Sequence, residues 1–349
     1  MSARVLSAAA NGIELLINNT VMFGNTHTPP APAGVAEFRL NLEVSGVRMP
    51  AVMALPKEGP LHSAILLVPG SLWIDVDGNM PAFGIYPHVY ADLSRQLARH
   101  GHAALRFAKP GPQTGSEVLD KEAARDHGQF QTRVKVAQAA LGLLQRELGT
   151  RNKSVQHWIV AGHSEGAVVA MLLALDSPEI DGLISLSGPS VGIFGILRGQ
   201  LPSFLTKGGT DYRDFDAAIA LLRQGMPLPE DAAKRPQLAG MARVGQTGVK
   251  YLLEVDAVNP VQTLARVRQP VLILQGESDA AVPPHHASAL FKARDAARTK
   301  MKLFPRLQHS YKQVPAGMDP FAAFGIATES DPQVTESMDA WMRALPAKK

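Results

Sequence analysis

Gly162-His163-Ser164-Glu165-Gly166 sets a serine between two glycines, directly after the apolar run 158–161 and directly before the helix-forming stretch 167–175. A strand, a sharp turn and a helix around G-x-S-x-G make a nucleophile elbow, which pushes the serine hydroxyl out above the edge of a sheet. Side chains at 162 and 166 would collide with the neighbouring strand and helix, and Ser164 itself is expected in a strained backbone conformation. A serine hydroxyl is a poor nucleophile at neutral pH, so it needs a base within hydrogen-bond reach and an acid that orients the base. Asp279, in Gln275-Gly276-Glu277-Ser278-Asp279, and His309, in Leu307-Gln308-His309-Ser310, each follow a predicted strand. They stand in the order Ser, Asp, His that accompanies such an elbow. Glu277 and Asp256 are rival acids, and His285 and His286 are rival histidines that open a helix.

Acyl transfer also needs donors for the oxyanion. The backbone N–H of Glu165, at the start of the helix, is one. The second is expected from the loop after the first buried strand, where Gly70 permits a close backbone approach and the N–H of Ser71 or Leu72 follows, with Ser71 preferred. Gly70, Leu72, Trp73 and His163 are the expected substrate-binding residues. Asp75 and Asp77 read as loop-bracing carboxylates, and no metal ligand set or cofactor is expected.

The elements that would carry these residues are legible from their hydrophobic spacing. Residues 36–56 alternate around Ser45-Gly46 as an antiparallel hairpin. Short apolar runs at 64–68, 103–107, 158–161, 182–186, 271–274 and 301–304 read as strands, the continuous ones as buried on both faces. Helical spacing recurs at 90–99, 134–148, 167–175, 286–296 and 332–345. Strands alternating with helices imply βαβ units, hence an α/β fold with a mostly parallel central sheet flanked by helices.

Residues 189–260 are too long for a crossover and too apolar for disorder. They read as a helical cap inserted over the sheet, with Phe194, Leu197, Leu201, Phe204, Leu205, Phe215, Ile219 and Leu222 burying a face. Part of that face should pack on the sheet domain and part should roof the acyl pocket. Gly188, Gly192, Gly195, Gly199, Gly208 and Gly209 are expected to let it move as a lid. The division is then 1–35, an N-terminal extension and Pro-rich linker; 36–188, the first part of the core; 189–260, the cap; and 261–349, the second part of the core.

Composition narrows the partners. A formal charge of +4, with Lys and Arg scattered, lacks the clustered basic footprint of a nucleic-acid binder. With no cysteine, disulfides, thiolate catalysis and Cys-ligated metal sites are excluded. No stretch reaches the roughly 18 uninterrupted apolar residues of a membrane span. Asn11, Glu14, Asn18 and Asn19 interrupt what would be the core of a secretory signal, so a cytoplasmic location is expected. The oligomeric state is open.

Four blocks resemble the α/β-hydrolase superfamily, and more narrowly a bacterial branch of single-domain serine hydrolases that includes esterases, peptidase-like and dienelactone-hydrolase-like proteins. They are the 70–79 loop, the 162–166 elbow, Asn259-Pro260 leading into 271–283, and the His309 loop. The likeness spans residues 36–345. Where the branch usually has a second glycine and an arginine this chain has Leu72 and Val76, and Ala108-Lys109-Pro110-Gly111 replaces its usual Asp-Lys-Arg-Gly turn. The resemblance implies an α/β-hydrolase fold with a helical cap insertion and a Ser164–Asp279–His309 triad. It disfavours epoxide hydrolase or dehalogenase chemistry, whose members place an aspartate at the elbow. The expected activity is hydrolysis of small-molecule carboxylic esters with small to medium hydrophobic acyl groups. The alternatives are an amide, peptide or thioester hydrolase on the same triad, or a non-catalytic small-molecule binder.

Overall fold

The computed structural model describes residues 28–71, 74–80, 85–109, 129–201, 205, 209–243, 245–318, 323, 326 and 328–346, and the backbone of residues 3–9, 12–17 and 20–24. Strands β1 (Ala3–Ala9), β2 (Gly12–Ile17) and β3 (Thr20–Gly24) form an antiparallel sheet of their own. The sequence reading of this segment as a simple extension misses that sheet. Val5, Ile13, Ile17, Val21 and Phe23 supply the strand propensity for it.

The main sheet has eight strands. Strands β4 (Val35–Val44) and β5 (Val47–Pro56) are the expected hairpin, turning at Ser45 and Gly46, both at positive φ. Then come β6 (Ser63–Val68), helix α1 (Val89–Arg99), β7 (Ala103–Phe107), α2 (Phe130–Thr150), β8 (His157–His163), α3 (Glu165–Asp176) and β9 (Gly182–Leu186). After the inserted helices the sheet resumes with β10 (Val271–Gly276), α9 (His285–Lys292), β11 (Thr299–Phe304) and α10 (Pro332–Arg343). The strand order is β11-β10-β9-β8-β6-β7-β5-β4, parallel from β11 to β7 and antiparallel at the β5 and β4 end.

Period-two alternation divides the core. Leu66, Val68, Val160, Leu183 and Ile273 face α2, α3, α9 and the helix at Pro260–Arg266, whereas Ile65, Leu67, Ile159, Ile184 and Leu272 face α1 and α10. Both faces are covered, which is why these strands read as continuous apolar runs. Two helix ends differ from the expected spacing. Helix α2 starts at Phe130, because Phe130 and Arg133 lie on the same buried stripe as Ala137, Leu141 and Leu144. Helix α9 stops at Lys292, after which the Arg294 guanidinium turns to the backbone carbonyls of Leu264 and Gln269.

Between β9 and β10 lie α4 (Ile193–Gly199), α5 (Thr210–Arg223), α6 (Ala239–Arg243), α7 (Gly245–Asp256) and α8 (Pro260–Arg266). Phe194, Phe215, Ile219 and Leu222 pack on one another and on Ala232, Leu238 and Met241, with Leu197 and Leu201 against them. These apolar faces form a core within the insertion, while Ile193, Tyr251, Val255 and Val258 of the same segment pack against the core of the sheet domain. Phe204 lies outside the described residues.

The expected lid glycines also have another use. A side chain at Gly192 would lie 2.5 Å from Asp256 Oδ1, and one at Gly188 would lie 2.4 Å from Ser185 Oγ. Asp256 further accepts from the Phe194 N–H at 3.3 Å and from Arg223 at 2.6 Å. The two ends of the insertion are therefore pinned together, and these glycines serve close packing. Gly208 lies outside the described residues.

Candidate active site

Ser164 joins β8 to α3 at φ 56° and ψ −129°, a conformation that costs a non-glycine residue about 1–3 kcal/mol. Its neighbours enforce the turn. A Cβ at Gly162 would lie 2.1 Å from the Gly166 carbonyl, and one at Gly166 would lie 2.4 Å from the Val68 carbonyl and 2.5 Å from that of Pro69. The elbow is thus pressed on the carboxyl end of β6, the strand hydrogen-bonded beside β8. Crevices outside the carboxyl ends of parallel strands are where open α/β sheets bind ligands.

The loop after β6 comes directly against the serine. A Cβ at Gly70 would lie 3.2 Å from Ser164 Cβ. The Gly70 N–H donates to the Tyr90 hydroxyl at 2.8 Å, so it is already engaged, and the next backbone donor along the loop is that of half-buried Ser71. Leu72 and Trp73 lie outside the described residues. Asp75 accepts from the N–H groups of Asp77 and Asn79, each at 2.9 Å, and Asp77 pairs with Arg106 at 2.8 Å. The two carboxylates brace the loop, as their spacing suggests.

Asp279 and His309 meet on the turns after β10 and β11. His309 Nδ1 is 2.7 Å from Asp279 Oδ2. Asp279 is 3% exposed and also accepts from the N–H groups of Ala281 and Val282, at 2.9 and 2.8 Å, and from the Gln275 amide at 3.0 Å. Burial by itself would raise its carboxyl. The facing His309 and these donors outweigh burial and hold it below the ordinary carboxylate value. The rivals are occupied elsewhere or exposed. Glu277 is exposed, Asp256 caps α4, His285 is exposed, and His286 Nδ1 lies 2.8 Å from the Ser190 hydroxyl.

His163 departs from its expected substrate-binding place. It is 5% exposed, its Nε2 lies 2.9 Å from the His309 carbonyl, and its Nδ1 lies 3.1 Å from the Tyr90 hydroxyl. A carbonyl only accepts, so the ring proton sits on Nε2, and Nδ1 accepts from Tyr90. Side chains alternate across β8, and that alternation turns His163 inward, beside the His309 ring at 4.6 Å between centroids. Burial, reinforced by the neighbouring His309, pushes the imidazole down to about 3, so it is neutral.

The Glu165 side chain does not face solvent either. It pairs with the buried Arg133 guanidinium and accepts from the Tyr251 hydroxyl of α7. Lys109, after β7, lies 5.3 Å over the Tyr251 ring, and burial lowers its amine to about 7. Sequence reasoning misses Tyr90, Arg133, Tyr251 and Gln275. The signal for Arg133 is its spacing, three residues after Phe130 and four before Ala137, which puts a charge on an apolar stripe. Among the described residues, no group of three or more His, Asp or Glu is placed to hold a metal ion, and no helix is long and apolar enough to cross a membrane.

A strained serine elbow on a doubly covered parallel sheet, with a histidine and a buried carboxylate on the following turns, defines an α/β-hydrolase architecture. A model of the alpha/beta hydrolase family matches residues 65–324, and the chain belongs to that family. No curated protein matches the chain. Among solved structures, an esterase of Pyrococcus furiosus is similar at a TM-score of 0.53 and 10% identity, covering 91% of this chain and 97% of its own. The 2,6-dihydroxy-pseudo-oxynicotine hydrolase is similar at 0.52 and 16% identity, covering 88% of this chain and 67% of its own. Est1E from Butyrivibrio proteoclasticus, in a structure with ferulic acid bound, is similar at 0.51 and 17% identity, covering 88% of this chain and 98% of its own. At these identities the likeness is one of fold.

Proposed function

We propose that the protein is a serine hydrolase that cleaves carboxylic esters of small to medium hydrophobic acyl groups through an acyl-enzyme. The Ser164 Oγ attacks the ester carbonyl while His309 Nε2 takes its proton, and Asp279 keeps the other imidazole proton on Nδ1. The tetrahedral oxyanion is held by the N–H groups of Glu165 and Ser71. As the intermediate collapses, the alcohol departs with the proton returned by His309. Water, activated by the same imidazole, then releases the acid and frees Ser164. The scheme uses no cofactor.

One observation carries this reading. His309 is bonded through its ring to Asp279 at 2.7 Å and through its backbone to His163, the residue beside Ser164, at 2.9 Å. Family membership adds weight, and so do the apolar residue types of Leu72, Trp73 and Ile74, which follow Ser71 in the sequence. The inserted helices act as the cap over that loop in this reading. Hydrophobic acyl groups follow because a buried carboxylate without a partner would cost several kcal/mol.

A fluorophosphonate should label Ser164, located by peptide mass spectrometry, and Ser164→Ala should abolish ester turnover. Each methylene that fits contributes about 0.8 kcal/mol, roughly fourfold in kcat/KM. Activity on p-nitrophenyl esters should therefore climb from acetate towards butyrate or hexanoate and then fall. Near wild-type turnover by Ser164→Ala would sink the assignment. A preference for anionic acyl groups, peptides or thioesters would move the protein to another substrate class on the same residues.

A further inference from the structure

Arg133 takes no part in that scheme, yet it touches both of the chain segments on which the oxyanion would rest. It projects from the first turns of α2 into the core and is 4% exposed. Its Nη1 donates to Glu165 Oε1 and its Nη2 donates to the Pro69 carbonyl. Glu165 carries one proposed oxyanion donor. Pro69 lies two residues before Ser71, which carries the other. A single planar fork thus joins the elbow to the end of β6.

Two N–H groups serve one oxyanion only if both lie about 2.7–3.1 Å from the same oxygen. Here they belong to chain segments nearly a hundred residues apart, so their separation depends on whatever ties the segments together. The β6 and β8 ladder ends at the pairing of Val68 with Gly162, before either donor is reached. Beyond that point the described side-chain ties are the Gly70 N–H to Tyr90 and the Arg133 fork. Arginine suits the second tie because its donors are fixed in one plane, whereas a lysine is a rotating point charge. The pair is also costly as a means of stability, since a buried ion pair can be replaced by apolar side chains with little or no loss. The Tyr251 hydroxyl donates to the same Glu165 oxygen and lies 3.4 Å from Nη1, which closes the cluster from the side of α7.

We propose that Arg133 is a positioning residue that sets the separation of the two oxyanion-binding N–H groups by holding the Glu165 carboxylate and the Pro69 carbonyl in one guanidinium fork. The proposal rests on the acyl-transfer reading of Ser164.

The test compares wild type, Arg133→Lys and the double variant Arg133→Met with Glu165→Leu, which removes both charges together so that neither is left buried alone. With p-nitrophenyl butyrate, kcat should fall roughly 10- to 100-fold in both while KM stays within about twofold, the scale of a misplaced oxyanion donor. An alkyl trifluoromethyl ketone adds Ser164 Oγ at its carbonyl, passes the serine proton to His309 and leaves a hemiketal oxyanion in the same site. Its Ki should rise by the factor that kcat/KM falls. The double variant leaves no buried charge unpaired and should stay folded, melting near the wild-type temperature, so that stability and turnover part company. Wild-type kcat and wild-type ketone affinity in either folded variant would overturn the proposal, as would a change confined to KM. Turnover by Ser164→Ala would instead overturn the acyl-transfer reading. An inactive Ser164→Ala beside a fully active Arg133→Lys would remove Arg133 alone.

Discussion

The His163 ring and the His309 backbone are joined by a 2.9 Å hydrogen bond, and the far side of the same ring takes the Tyr90 hydroxyl at 3.1 Å. Tyr90 in turn accepts from the Gly70 N–H at 2.8 Å. One chain of bonds therefore runs from the loop after β6, through α1 and the residue before Ser164, to the histidine loop after β11. His163→Phe keeps a ring of similar shape and deprives the buried His309 carbonyl of its donor. We expect a stability loss of about 1–3 kcal/mol by urea unfolding and a kcat reduced roughly tenfold with KM little changed. Unchanged stability and kcat would show that the chain of bonds carries neither.

Relief of strain at the elbow gives a second expectation. Ser164 holds φ 56° and ψ −129°, which glycine adopts without a Cβ clash. Ser164→Gly should be inactive yet up to about 1–2 kcal/mol more stable than Ser164→Ala, the balance of released strain against the greater freedom of glycine in the unfolded chain. Denaturant midpoints of the two variants decide it, and equal midpoints would mean that the strain released is no larger than the unfolded-chain cost of glycine, about 0.4–1 kcal/mol.

Asp279→Asn should cost on the order of 10⁴-fold in kcat by permitting the wrong His309 tautomer. Glu277→Gln should leave turnover near wild type, since Glu277 is exposed. Asp256→Asn should lower stability through Arg223 and the α4 cap while sparing kcat. Steady-state rates beside melting temperatures separate these outcomes. A crippled Glu277→Gln with an active Asp279→Asn would reassign the acid.

Acid should unfold the protein through buried imidazoles. Burial lowers His163 to about 3, and His102 and His286 each to about 4. All three bind a proton more readily in the unfolded chain, where the value is near 6.5. Their contribution is fully present above about pH 6.5 and is lost as pH falls towards 4, at up to about 1.4 kcal/mol per pH unit for each proton. Unfolding free energies measured between pH 4.5 and 7.5 should rise with pH, and His102→Gln should reduce the slope by about one proton. A flat profile would mean that these rings are protonated in the folded state.

What the sequence discloses depends on how local the determinants are. Gly162 to Gly166 carry their own reasons for the turn, and the strands are buried on both faces, so the elbow and the parallel sheet could be read from short windows. Asp279 and His309, which the fold bonds to each other, stand out because each follows a strand, in the order that an elbow serine calls for. Arg133, Tyr90 and Tyr251 act through partners 32, 73 and 86 residues away, and no local pattern names those partners. The inserted helices show the same limit. The spacing of Phe194, Phe215, Ile219 and Leu222 announces apolar faces, yet only the fold shows that they meet one another. His163 misleads for a related reason, since adjacency to Ser164 says nothing about which side of β8 a side chain takes.

Tyr251 sits on an inserted helix yet bonds to Glu165 in the elbow, and this constrains how the family could trade parts. A segment between β9 and β10 looks like a module that recombination could exchange to alter substrate range. Here the module carries one partner of a buried charge, while helices α3 and α2 of the core carry the carboxylate and Arg133. A graft that brought phenylalanine in place of Tyr251 would leave Glu165 with one donor fewer in a dry site. Exchanges that work should therefore carry residues 133, 165 and 251 as a linked set, and a chimaera built across that boundary should recover activity when the missing hydroxyl is restored.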